Sequence, residues 1–298
     1  YEMWVESFLR CVLQESEKWV MMTYVLLSEQ GAYDIVSNLG SLVARMLFKF
    51  VEDIALAAWC KLLGDGTPSR LAIQKSGKFY ALLMKFLLLV GIIFVVFGIP
   101  YCKTLLFILY SHKWLHTTAP ELLMQYCVYV FIMGLSGVSE AFIRAVADSS
   151  DLNYFKSFQL LCGLTYLGLL YGLAQHLGYG PKGVIAANII SMTLRFLYCF
   201  RFALRYFRHR EAAEHFSVGR CVSFTASTWA LLVLLACLLA ASYYRYPILQ
   251  NGVVNMSHLL KHLLMGIGCF GAFCVALFRW NFPFLENLKR LWKSENID

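Results

Sequence analysis

The sequence predicts an all-α polytopic membrane protein with about eight transmembrane helices. Hydrophobic residues make up 59% of its 298 residues and charged residues only 15%. A soluble globular domain carries about a quarter charged residues. Residues 79–99, 224–241 and 263–278 are almost unbroken apolar runs, and about 20 such residues span a bilayer. A soluble helical core needs no runs of that length.

Taken in order, the expected crossings are residues 4–27, 32–62, 79–110, 121–147, 154–177, 183–206, 218–243 and 257–280. The first is interrupted by Glu15, Glu17 and Lys18. The third, seventh and eighth rest on the apolar runs. The fourth contains Gly134, Ser136 and Gly137, small residues that permit close helix packing. Several crossings exceed the minimum length, which allows tilt. The chain opens with Tyr1, Glu2, Glu6 and Arg10, a pattern unlike a signal peptide, and it is expected to be a fragment.

Basic residues set an orientation. Lys61, Arg70, Lys75 and Lys78 follow the second crossing. Arg205, Arg208 and Arg210 close the sixth, and Lys289, Arg290 and Lys293 follow the eighth. The intervening loops hold single charges, Lys113, Lys182 and Arg245. The positive-inside rule makes the rich loops cytoplasmic, so both ends of the chain are expected in the cytoplasm. The net charge of +8 then reflects topology and anionic headgroups, with no nucleic acid as partner. Asn255-Met256-Ser257 fits a glycosylation sequon in an expected lumenal loop.

Charges inside the crossings are the functional signal. On an unbroken helix Asp34, Asn38, Ser41, Arg45 and Glu52 form one stripe, opposite Val36, Leu39, Val43, Leu47 and Ile54. A charge at mid-helix in lipid costs roughly 2.5–3.5 kcal/mol on insertion scales. The stripe must therefore face other helices or water. Glu140 and Arg144 are spaced for an intrahelical pair. Asn188 and Arg195 share a face of the sixth crossing, with Ser191 between them. Lys85 reads as a snorkelling lysine, and Gln159 and Gln175 as interhelical hydrogen-bond donors. Two roles fit the stripe: an ion pair that holds the bundle, or a polar cavity for part of a substrate. Arginine's fork suits phosphate or carboxylate, so Arg45 and Arg195 point to an amphipathic anion.

Other chemistry lacks its motifs. There is no GxxxxGK[ST], HExxH, GxSxG or DxD, and "GDGTPS" at residues 64–69 has no following lysine. Ten scattered cysteines without a CxxC pair suggest neither a disulfide framework nor a zinc site. His258 and His262 lack a third ligand and read as interfacial. No metal or cofactor is expected. Tyr101, His112, His116 and Glu121 form a candidate acid–base cluster near a lumenal border, weighed against an ordinary aromatic belt, which is preferred. The chain is not expected to be an enzyme.

The segment "QGAYDIVSNLGSLVARMLFKFVED" strongly resembles a signature of the Rft family. "YCVYVFIMGLSGVSEAF" and "GVIAANIISMTLR" resemble family segments more loosely. Asp34, Asn38, Arg45, Glu52, Glu140, Asn188 and Arg195 match polar positions of the family, and Phe50 stands where the family usually has proline. The resemblance covers nearly the whole chain and corresponds to the C-terminal half of a full-length member. It implies an endoplasmic reticulum membrane protein associated with moving dolichyl-pyrophosphate-linked, mannose-rich oligosaccharide from the cytoplasmic to the lumenal leaflet for N-glycosylation. The family is similar to the multidrug/oligosaccharidyl-lipid/polysaccharide transporters. By that likeness residues 1–210 form the second six-helix lobe and residues 211–298 add two helices and a tail. The partners would be the N-terminal lobe of the same protein, the lipid-linked oligosaccharide and membrane lipids. A non-transporting binding or scaffold protein of the same pathway is the alternative, and an intramembrane lipid-modifying enzyme is a weaker one.

Overall fold

In the computed structural model, which describes residues 22–23, 27–63, 68–210, 214, 216–247, 249–250 and 253–280, the chain is a bundle of long helices. The first expected crossing, residues 4–27, lies almost wholly outside the described residues, as do Lys289, Arg290 and Lys293. The polar-striped segment forms α1 (Leu27–Val43), a π-helical turn (Ala44–Phe48) and α2 (Lys49–Leu63). α3 (Arg70–Ile93) passes through a second such turn (Phe94–Gly98) into α4 (Ile99–Tyr110). α5 (Ala119–Val146), α6 (Ser149–Leu170) with a third wide turn (Tyr171–His176), and α7 (Pro181–His209) follow. After the short α8 (Val218–Val222) come α9 (Ala226–Arg245), a two-residue antiparallel ladder of β1 (Leu249–Gln250) and β2 (Val253–Val254), and α10 (Met256–Trp280).

Six helices among the described residues are long and apolar enough to cross a membrane: Arg70–Trp114, Ala119–Val146, Ser149–His176, Pro181–His209, Ala226–Arg245 and Met256–Arg279. The protein is an all-α, multi-pass membrane protein. The second expected crossing does form a helix of sufficient length, yet it is not among the six. Its charges, Lys49, Glu52, Asp53 and Lys61 among them, are too many for such a span.

α5 is the hub. α1, α2, α3, α4 and α7 all pack on it, while α6 packs chiefly on α7. At one end of the bundle Trp59, Tyr80, Phe142 and Phe207, all fully buried, interlock with Phe216. Trp59 and Phe142 meet edge to face at 5.1 Å, Phe142 and Phe207 stack at 5.2 Å, and Tyr80 meets Phe216 at 4.6 Å. These rings join α2, α3, α5 and α7. They also bring Lys61, Arg70, Lys75 and Lys78 to the same end as Arg205, Arg208 and Arg210, as the loop charges anticipate. At the other end Lys182 pairs with Glu121, and Gly31 lies against Trp114. There α7 leaves the third wide turn so closely that a Cβ at Gly183 would stand 2.8 Å from the Leu173 carbonyl.

α9 and α10 pack together and against the α3–α4 turn through Leu232, Leu235, Leu239, Phe273 and Phe97. Here one expectation is corrected. His258 is partly exposed, but His262 is wholly buried. Its ring lies 2.7 Å from Ser242 Oγ and 3.2 Å from the Pro100 carbonyl, and stacks on Tyr101. Proline at position 100 supplies no N–H, and a buried imidazole needs partners for both nitrogens. Lys85 is also more than a snorkelling side chain. It donates to the Ser223 carbonyl and lies over the Phe224 ring at 4.8 Å, tying α3 to the entry of α9.

Candidate functional site

The π-helical turn Ala44–Phe48 decides which charges meet. An α-helix advances about 100° per residue, so on an unbroken helix Asp34 and Glu52 point the same way. A wide turn accommodates one extra residue and rotates everything beyond it by about that angle. The buried face accordingly runs Ala32, Val36, Gly40, then Phe48, Ala55, Trp59 and Leu63. Leu47 and Ile54, on the apolar side opposite the expected stripe, are 36% and 37% exposed. Asp34 and Asn38 stand exposed before the turn, with Ser37 and Ser41 donating to their backbone carbonyls. Glu52, beyond the turn, faces α5. The single stripe is therefore split. The side chain of Arg45 lies outside the described residues. Phe50 lies in the first turn of α2, two residues beyond the irregular turn.

Four of the expected site residues converge. Glu140 on α5 is 6% exposed and is the centre. Its Oε2 accepts from Arg144 Nη2 at 3.1 Å and from Gln159 Nε2 of α6 at 3.3 Å. Its Oε1 accepts from Ser136 at 3.3 Å and pairs with Arg195 Nε of α7, also at 3.3 Å. Three donated hydrogen bonds and the ion pair with Arg195 hold the carboxylate. Arg144 turns its other nitrogen, Nη1, to Glu52 Oε1 at 3.4 Å. Glu52 also lies 3.7 Å from Lys49, which pairs with Asp53 at 2.9 Å. Three cations thus face three carboxylates among the described residues, and the cluster links α2, α5, α6 and α7.

Arg195 is the least satisfied member. Its Nε is within ion-pairing distance of Glu140, but that N–H is directed at no acceptor among the described residues. Nη1 reaches only the Met192 sulfur at 3.9 Å. A guanidinium carries five N–H donors, and most of them meet no acceptor among the described residues. Asn188 stands on the same helix, roughly 10 Å along the axis from Arg195, outside the network.

Depth matters as well. Glu140 and Arg144 lie in the last two turns of α5, whose end is Val146. Glu140 is about 9 Å from that end along the axis. The network therefore lies at the basic end of α5, close to the aromatic cluster. The candidate acid–base cluster does not converge: Tyr101 donates to the His262 carbonyl, His112 packs on Phe107, His116 is exposed and Glu121 pairs with Lys182. Asn255 caps α10, its Oδ1 accepting from Ser257 N at 3.1 Å and His258 N at 3.3 Å.

Sequence reasoning missed Lys49 as a member of the network, although its spacing to Glu52 and Asp53 was visible. It took Gln159 for an ordinary interhelical donor, which it is, but one aimed at the central carboxylate.

Fold and site together define a multi-pass helical membrane protein with an interhelical arginine–glutamate network at its basic end. The chain belongs to the Rft family: the family described as "Rft protein" matches residues 1–291. It is 32% identical over 257 residues to "Man(5)GlcNAc(2)-PP-dolichol translocation protein RFT1" of Eremothecium gossypii, covering 86% of this chain and 45% of that protein. The protein of the same name from Mus musculus is 33% identical over 217 residues, covering 70% of this chain and 40% of its own length. The one from Saccharomyces cerevisiae is 30% identical over 200 residues, covering 67% and 34%. The chain spans less than half the length of these relatives. No solved structure matches.

Proposed function

We propose that the full-length protein carries a dolichyl-pyrophosphate-linked, mannose-rich oligosaccharide from the cytoplasmic to the lumenal leaflet of the endoplasmic reticulum for N-glycosylation. In this reading residues 1–210 are the second lobe of a two-lobed transporter, and residues 211–298 add two C-terminal helices. The N-terminal lobe closes the path, and both ends of the chain are cytoplasmic. Asn255 then lies on the lumenal side as an acceptor for glycan. Arg144 and Arg195 hold the pyrophosphate, and the apolar outer faces of the helices accommodate the polyprenyl tail. The observation that carries this reading is Arg195: a partly buried guanidinium most of whose donors meet no acceptor among the described residues, beside Arg144 and near the basic end. The names of the relatives support the same substrate class.

The balanced charges favour one second reading. Three cations against three carboxylates suit a structural clamp, and the protein would then be a non-transporting scaffold of the pathway. Titrating the detergent-purified full-length protein with farnesyl pyrophosphate separates the two. The transport reading expects binding, weakened about tenfold or more by Arg144→Lys or Arg195→Lys. Lysine keeps the charge and loses the fork, and a charge-assisted hydrogen bond is worth about 1.5–3 kcal/mol. No binding by the unsubstituted protein would favour the scaffold.

A further inference from the structure

The network is charge-balanced among the described residues, so an arriving pyrophosphate is bound best where it also displaces a carboxylate. Glu140 is a poor candidate for release: it is buried, accepts hydrogen bonds from Arg144, Gln159 and Ser136, and is ion-paired with Arg195. Glu52 is a good one. It meets Arg144 through a single 3.4 Å contact, and its other near charge, Lys49, is 57% exposed and already paired with Asp53. Arg144 itself is 38% exposed and can be reached.

The position of Glu52 gives its release a consequence. It lies four residues beyond the π-helical turn Ala44–Phe48, on α2, whereas Arg144 lies on α5. Irregular turns of this kind are where helices bend. Of the network's contacts, Glu52–Arg144 is the one that ties α2 to α5. We infer that the Glu52–Arg144 ion pair is an exchangeable latch: a pyrophosphate group takes Glu52's place on Arg144 and loosens α2 between the turn and its Trp59 anchor. This rests on the reading that Arg144 and Arg195 take the anion. It adds that the anion competes with a specific carboxylate, and that binding is felt in α2.

The test uses the full-length protein with two probes, farnesyl pyrophosphate and inorganic pyrophosphate, and reads affinity together with amide exchange of residues 49–63. Glu52→Gln keeps the size of the side chain and removes the competing charge, so it should bind pyrophosphate about tenfold tighter, the equivalent of one charge-assisted contact. Gly137→Ala is a second route to the same state. A Cβ there would stand 3.1 Å from Glu52 Oε2 and push the carboxylate away, so affinity should rise again. In the unsubstituted protein either probe should speed exchange in α2, where a ligand that merely docks would slow it. A gain seen with both probes supports the latch and assigns recognition to the phosphates alone. A gain confined to the farnesyl compound supports the latch with a contribution from the chain. If the unsubstituted protein binds but neither variant gains affinity and α2 exchange does not rise, the latch is overturned and the anion site stands. If nothing binds, both fall.

Discussion

Glu140→Ala is expected to destabilise the protein by about 3–5 kcal/mol, the range for removing one partner of a buried ion pair. The alanine would leave Arg195 and Gln159 facing a void and half of Arg144's fork unpaired, on three different helices. Arg195 is partly buried, so it cannot rehydrate fully, and its alternative acceptor is only a thioether. Glu140→Gln retains one carbonyl acceptor and should cost less. The unfolding midpoint of the purified full-length protein, followed in one detergent for all variants, measures the difference. A Glu140→Ala protein as stable as its parent would show that the network bears no structural load.

Trp59→Ala should cost a similar amount, about 3–5 kcal/mol, for a different reason. Trp59 is fully buried and sits within 5.1–5.5 Å of Phe142, Tyr80 and Phe79. Truncation removes most of a large side chain, and the surrounding rings, pinned on α3 and α5, cannot collapse into the space. The indole N–H has no hydrogen-bond partner among the described residues, so none is lost by the change. Trp59→Phe, which keeps an aromatic body, should recover more than half of the loss in the same melting assay. Because Trp59 lies two turns beyond Glu52 on α2, the two variants separate packing of that helix from its ionic attachment.

Much of this was legible in the sequence, and the misses have physical causes. The six membrane-spanning helices of the described residues fall within the eight expected crossings, and the spacing of Glu140 and Arg144 gives their ion pair. The sorting of Lys61, Arg70 and Arg205 to one end follows from loop charge. What the periodicity could not show was the π-helical turn at Ala44–Phe48. Nothing in "ARMLF" marks it, because it arises where Phe48 packs on Gly134 of α5, a tertiary contact. One added residue therefore leaves Asp34 and Asn38 exposed while Glu52 faces α5. His262 was misjudged for a related reason. Its partners, Ser242 and the Pro100 carbonyl, lie on two other helices, and no local spacing reveals them.

Leaflet exchange tests the central claim most directly. The full-length protein would be reconstituted into liposomes carrying the oligosaccharide-pyrophosphate lipid, and passage of that lipid between leaflets would be followed. The account predicts exchange by the unsubstituted protein that Arg144→Lys and Arg195→Lys slow about tenfold or more, with folding intact. Exchange no faster than in protein-free liposomes, from a protein that still binds farnesyl pyrophosphate, would contradict it and leave a protein that holds the lipid without moving it.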